Sequence, residues 1–296
     1  MILNKIGVIL IRALITGVNG FVGPYLVEEL VLSGYAVYGC ALEKESNLSK
    51  LEEYFSCDIT DSIQVEEVIE SIKPDVIFHL AGFSSVAKSF ENPDLCFKIN
   101  VNGTKNLVES FRKLKIAPKL IVVSSSEVYG QPKKNPVNEK SELNPLSPYA
   151  KSRVEQEKVA LAYFNSIIIR AFNHTGLNQP DTFVIPSFRK QVLESKNGGS
   201  VQVGNLDVVK DFSDVMEVVK AYGIIYEKGV VGEIYNVGSG KGYLLKEVLE
   251  NMIKESGKNI SIVIDPKKYR PADIKEVFCD NSKIKKLGIT IKGYFD

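Results

Sequence analysis

Tyr149 and Arg153 stand four residues apart in the run "SPYAKSRVEQ" at 147–156. The run reads as the head of a helix, and residues four apart share a helix face, so phenol and guanidinium can meet. Lys151, two places from the tyrosine, points elsewhere. A phenol titrates near ~10 in water, and a neighbouring cation eases its loss of a proton. Such a pair could give a proton to a carbonyl oxygen and take one back. The same spacing arises where an aromatic merely neighbours a solvated charge, and these residues alone leave both readings open.

A second stretch, "ITGVNGFVG", sets Gly17, Gly20 and Gly23 between an apolar run and an amphipathic one. A turn without side chains lets the N–H groups of a helix start approach a pyrophosphate. Pro24 falls in the first helical turn, where proline is well tolerated. Close strand–helix packing would also use three glycines, but the strand–turn–helix context favours a nucleotide. At the end of the second strand an acid accepts ribose hydroxyls, whereas arginine pairs with a 2′-phosphate. Here Glu43 and Lys44 follow "YGCAL" and point both ways, so NAD and NADP both remain open. Asp58, in "SCDITD", is placed to accept from an adenine amino group, while Asp61 reads equally well as a helix cap.

These groups need a frame. The runs "RALITG", "YAVYGCAL", "DVIFHLAG", "KLIVVSSS" and "SIIIRAF" are β-branched and nearly continuous, as strands buried on both faces should be. Helically spaced stretches such as "PYLVEELVLSG" and "SIQVEEVIESIK" alternate with them. Strict alternation predicts an α/β fold with a doubly wound parallel sheet, a Rossmann arrangement over 11–172. After Phe172 the rhythm breaks. Residues 173–296 read as a smaller, interleaved substrate-binding part, with a segment around 206–238 returning to the first.

The 37 basic and 36 acidic residues nearly cancel, to a net charge of +1, so no basic stripe points to nucleic acid. Cys40, Cys57, Cys96 and Cys279 are scattered, which suggests buried thiols in a reducing compartment. With only His79 and His174, a histidine-rich metal site is excluded. His79 reads as a core imidazole or one adjacent to a cofactor, and His174 as a loop residue with a structural hydrogen bond. The start, "MILNKIGVILIRALITG", is interrupted by Lys5 and Arg12 and is too short to cross a bilayer. Residues 1–10 read as an extension ahead of the first strand, and a cytoplasmic protein is expected.

With "TGVNGFVG", "FHLAG", "INVNGT", "SSSEVYG" and "SPYAKSR" in this order, the chain resembles the extended short-chain dehydrogenase/reductase family from Arg12 to about Ile289. The resemblance implies a nicotinamide dinucleotide and a catalytic set of Ser125, Tyr149 and the residue at 153. The family has lysine there and this chain has arginine. The dinucleotide is then expected against Gly17, Asn19, Gly20, Phe21, Val22 and Gly23, against Asp58 and Ile59, against Leu80, Ala81 and Gly82, and against Asn100, Tyr149 and Arg153. Arginine supplies charge and several donors, but it is longer and planar and not interchangeable with lysine.

"RAFNHTGLNQ", "FVIPSF", "VGNLDVVKDFSDV" and "YRPAD" resemble the GDP-mannose branch of that family. Ser84, Ser85, Ser126, Asn173, Lys210, Arg270 and Asp273 then face the nucleotide sugar. Lys210 stands where the branch usually has arginine. The implied reaction is reduction of the C4 keto group of GDP-4-keto-6-deoxy-D-mannose to a GDP-6-deoxyhexose such as GDP-D-rhamnose. A 4,6-dehydratase, in which Glu127 would serve as base, a 4-epimerase, and a non-catalytic nucleotide-sugar binder are the competing readings. Similar proteins pair two long helices, here "LCFKINVNGTKNLVESF" and "YAKSRVEQEKVALAYF", into a four-helix homodimer interface. The chain also stops at "GITIKGYFD", earlier than the resemblance suggests.

Overall fold

The structure is a computed structural model that describes residues 10–269 and 273–296. Along the first half run β1 (Arg12–Thr16), α1 (Gly23–Leu32), β2 (Ala36–Ala41), β3 (Glu53–Ser56), α2 (Ser62–Ile72), β4 (Val76–His79), α3 (Val86–Glu91), α4 (Pro93–Phe97), α5 (Gly103–Leu114), β5 (Lys119–Ser125), α6 (Pro148–Leu161) and β6 (Ser166–Ala171). The second half adds β7 (Asn173–Thr175), α7 (Val184–Glu194), β8 (Ser200–Val203), β9 (Val209–Asp214), α8 (Val215–Lys228), β10 (Ile234–Val237), β11 (Gly242–Leu244), α9 (Leu245–Glu255), β12 (Ser261–Ile264), β13 (Glu276–Val277) and α10 (Ser282–Lys285).

Seven parallel strands form the main sheet in the order β10-β6-β5-β4-β1-β2-β3. Both of its faces are covered, so β2, β4 and β6 are buried at every residue. On one face Leu26, Leu30, Val218 and Tyr222 of α1 and α8 pack on Ile15, Val37 and Phe78. On the other, Val65, Ile69, Leu107 and Phe111 of α2 and α5 pack on Leu14, Ile77 and Val122. Each fully buried side chain of this size contributes roughly 1.5–3 kcal/mol relative to exposure. The sheet therefore holds its strand ends in fixed register. From β1 the chain runs outward to β3 and then crosses back to β4, so the order reverses between β1 and β4. A crevice opens at the carboxyl ends of strands at such a reversal.

The second half contributes a sheet of β11, β9 and β13 with β7 beside β9, and the pair β12-β8. His174, read from sequence as a loop residue, lies instead on β7, whose backbone pairs in parallel with Phe212–Asp214 of β9. Three residues are too few to show a strand period, and the partner that orders them is distant in sequence. The long helix expected around "LCFKINVNGTKNLVESF" is α4 and α5 joined by a π-helical turn at Lys98–Asn102. Among the described residues, no helix is long and apolar enough to cross a membrane.

Candidate active site

α6 begins cleanly because Ser147 accepts a hydrogen bond from Ala150 N at 3.0 Å and Pro148 occupies the first turn. The turn is anchored from outside as well, since Tyr149 N donates to Ser89 Oγ at 3.1 Å. One turn on, the Arg153 guanidinium lies over the Tyr149 ring, 5.2 Å from its centroid. Arg153 is only 5% exposed, which removes the reading of a solvated helix charge. Its Nη1 donates to Val123 O at 3.1 Å and to Gln156 Oε1 at 2.7 Å, and its Nη2 to Phe83 O at 3.4 Å. Arg153 makes no ion pair among the described residues, and its buried Nε has no hydrogen-bond partner.

Ser125 ends β5, and its Oγ accepts from Glu127 N at 3.2 Å. That bond uses a lone pair and leaves the hydroxyl proton free to donate. Glu127 sits in the 3₁₀ turn Ser126–Tyr129, with its carboxylate 3.6 Å from Lys210 Nζ on β9. The two halves of the chain therefore meet at this ion pair. Ser126, next to them, is buried.

The glycine turn lies one strand over. Gly17 adopts φ +70, and a Cβ there would come 2.7 Å from Ala81 Cα. A Cβ on Gly23 would come 1.9 Å from Val18 O, so α1 can pack on the turn only with glycine there. No side chain caps α1, whose N-cap is Val22. Gly23 N donates to Gly20 O at 3.2 Å and Pro24 has no N–H, so the helix start presents its dipole, with few N–H groups, towards the turn. Asn19 donates to Glu43 Oε2 at 3.3 Å and to Glu45 O at 3.1 Å, which draws the loop after β2 over the turn. Gly20 is exposed beside it. These features fit a dinucleotide pyrophosphate along the turn.

The remaining predicted residues separate into those at the crevice and those that brace it. Leu80 N donates to Thr16 O at 3.2 Å and Ala81 N to Thr16 Oγ1 at 3.2 Å, so Leu80, Ala81 and Gly82 run beside the glycine turn. Asn100 is fully buried in the π-helical turn, accepts from Phe83 N at 2.7 Å and donates to Ser152 Oγ at 2.8 Å. It ties the loop after β4 to α6. Asp58 accepts from Thr60 N at 2.8 Å, and Asp61 caps α2 through Ile63 N at 2.9 Å. Ile59 is buried against Gly103, where a Cβ would come 2.9 Å from its Cγ2. Ser84 is exposed, whereas Ser85 caps α3 by accepting from Lys88 N at 3.2 Å. Asn173 starts β7, and Asp273 is exposed and accepts from Asn205 Nδ2 at 3.2 Å. Arg270 lies outside the described residues.

Both histidines are held by hydrogen bonds. His79 is fully buried between Thr16 Oγ1 at 2.7 Å and Thr104 Oγ1 at 2.9 Å. Burial, with the Arg153 charge adding to it, pushes its pKa down to about 3. His174 Nδ1 donates to Phe172 O at 2.9 Å, and its ring stacks on Phe21 at 6.1 Å. Burial lowers its pKa too.

Two supporting groups have no motif to announce them. Gln156 lies three residues after Arg153 on the same helix face, and that spacing was the available signal. Glu157, one residue further, receives Ser124 Oγ at 2.5 Å and Arg170 Nη2 at 2.7 Å in the core behind Ser125.

The parallel Rossmann sheet and the relatives it matches mark an NAD(P)-dependent enzyme of the nucleotide-sugar dehydratase, reductase and epimerase class. The chain belongs to the GDP-mannose 4,6-dehydratase family of the extended short-chain dehydrogenases/reductases, whose model matches residues 14–295. It is 30% identical to GDP-6-deoxy-D-mannose reductase of Pseudomonas aeruginosa, over 90% of this chain and 87% of that one. The structure of RMD from Pseudomonas aeruginosa complexed with NADPH superposes with TM-score 0.80 at 28% identity, covering 95% of this chain and 93% of that one. The Thermus thermophilus UDP-glucose 4-epimerase complex with NAD gives TM-score 0.83 at 27% identity, covering 94% and 93%.

Proposed function

We propose that this chain reduces the C4 keto group of GDP-4-keto-6-deoxy-D-mannose to a GDP-6-deoxyhexose, GDP-D-rhamnose, in the cytoplasm. The observation that carries the reading is the buried Tyr149–Arg153 pair, with Arg153 bonded to Val123 O of the strand that ends in Ser125, whose hydroxyl proton is free. The bound dinucleotide supplies the hydride. Ser125 donates to the carbonyl oxygen and holds it, and Tyr149 delivers the proton as negative charge grows there. Arg153, buried without a carboxylate partner, keeps its full positive field on the phenol and on the dinucleotide ribose. The resemblance to the Pseudomonas reductase supplies the sugar and base.

A dehydratase would use Glu127 as a free base near the sugar, but Lys210 sits 3.6 Å from its carboxylate and offsets its charge. That pairing favours reduction. Asn173 and Asp273, with Arg270, are assigned to the nucleotide diphosphate and ribose. The discriminating experiment incubates the protein with GDP-4-keto-6-deoxy-D-mannose and NADH or NADPH, then identifies the product. Consumption of reduced cofactor with a GDP-6-deoxyhexose formed is the expected result. Efficient dehydration of GDP-mannose with no external reductant would replace the reading.

A further inference from the structure

The guanidinium of Arg153 is held entirely by neutral acceptors, and one of them is a side chain whose own orientation is fixed from behind. Thr104 Oγ1 donates to Asn100 O at 2.7 Å. A hydroxyl has one proton, so towards its other neighbours Thr104 can only accept. It therefore accepts from Gln156 Nε2 at 2.9 Å and from His79 Nε2 at 2.9 Å. The neutral imidazole then carries its proton on Nε2, and Nδ1 accepts from Thr16 Oγ1 at 2.7 Å. Thr16 Oγ1 in turn accepts from Ala81 N at 3.2 Å. Every proton in the chain from Ala81 to Gln156 has one consistent place. With Nε2 of Gln156 committed to Thr104, its Oε1 must face Arg153, where it lies 2.7 Å from Nη1.

Space is arranged for the same group. A Cβ on Gly82 would come 2.8 Å from Arg153 Nη2 and 2.9 Å from Asn100 Oδ1, so the bare Cα makes room for the guanidinium plane. A lysine ammonium has no fork to reach Val123 O, Gln156 Oε1 and Phe83 O together.

We propose that Gln156 is the positioning residue for Arg153, and that Gln156 with Gly82 forms a pocket fitted to a guanidinium rather than an ammonium. The inference rests on the reading of Arg153 as the cation serving Tyr149 and the dinucleotide, but it does not need the sugar.

The test is a double-mutant cycle read by fluorescence titration of NADH and NADPH, with no sugar present. A hydrogen bond to a charged group contributes about 1.5–3 kcal/mol, so Gln156→Leu should weaken dinucleotide binding by about tenfold or more. Arg153→Lys should weaken it comparably, and Gln156→Leu should add less than about twofold in the Arg153→Lys background. Gln156→Glu, which keeps the length and an acceptor for Nη1 but sets a carboxylate oxygen against the accepting Thr104, should recover about threefold or more of the loss without reaching the parent chain. It also serves should Gln156→Leu fail to fold. Full multiplication of the two single effects, or no recovery with Gln156→Glu, would overturn the proposal. Coupling as expected with no turnover of the keto-sugar would remove the substrate reading and leave this one standing.

Discussion

The carboxylate of Glu157 on α6 and the guanidinium of Arg170 on β6 meet at 2.7 Å with both side chains at most 4% exposed. Ser124 Oγ adds a hydrogen bond to the same carboxylate at 2.5 Å, and Tyr129 OH accepts from Arg170 Nη1 at 3.0 Å. This buried network fixes the end of β5 and with it Ser125. Removing one partner strands the other charge, so Glu157→Ala should cost about 3–5 kcal/mol in urea unfolding. The paired change Glu157→Leu with Arg170→Met should recover much of that. A loss under about 1 kcal/mol for the single variant would mean the network is already hydrated.

Tyr149→Phe should lower the rate of keto-sugar reduction about a hundredfold to ten-thousandfold, the usual range for a general acid. Dinucleotide affinity should stay within about twofold, because the pyrophosphate is expected along the glycine turn and not on the phenol. Parallel steady-state kinetics and cofactor titration check both halves. A comparable fall in affinity and rate would make Tyr149 a binding group rather than the proton donor.

Acid should destabilise the protein through His79. Its folded pKa of about 3 lies below the ordinary 6.5, so unfolding takes up a proton at intermediate pH. A depressed histidine contributes stability that is present above 6.5 and is lost as pH falls towards 3. Between pH 7 and 5 the loss from this one group should be about 2 kcal/mol. Urea midpoints for the parent chain and His79→Asn give the difference in slope, and equal slopes would remove His79 as the source.

Much of this was legible beforehand, and the boundary has a physical cause. The strands of the main sheet are buried on both faces, so they read as unbroken apolar runs, and the glycine turn is local in sequence. Arg153 was visible as a departure from lysine, but not its surroundings. Gly82 and Gln156 come from separate segments that meet only because the loop after β4 packs against α6. Glu127 and Lys210 likewise meet only because β9 returns to the end of β5. Asn100 and Thr104 are polar residues at helix positions that look exposed until the π-helical turn rotates them inward.

Glu127→Gln should leave keto-sugar reduction within about fivefold of the parent, since a reductase asks only for Ser125 and Tyr149 as acid and anchor. Lys210→Met, by contrast, should raise KM for the nucleotide sugar more than it lowers kcat. A loss of a hundredfold or more in kcat for Glu127→Gln would return Glu127 to the chemistry and reopen the dehydratase reading.

The outer sides of α4 and α6 leave Leu95 47% and Leu161 37% exposed, among charged Lys105, Glu109, Lys151 and Lys158. Phe164, just beyond α6, is 74% exposed. We expect these helices to pair about a two-fold axis, since two-fold dimers are the commonest assembly. Sedimentation at micromolar concentration should give twice the chain mass, and Leu95→Lys with Leu161→Lys should halve it. A parent chain that sediments as a monomer ends the idea.

Phe21 and His174 stack with their planes 7° apart, and Tyr25 OH donates to Leu177 O at 2.6 Å. Behind them Gly176 leaves no room for a Cβ, which would sit 2.6 Å from Val215 Cγ1. The glycine turn and the start of the second half are thus bolted together along one lip of the crevice. A change in either partner of these contacts would therefore be felt in both halves of the chain at once.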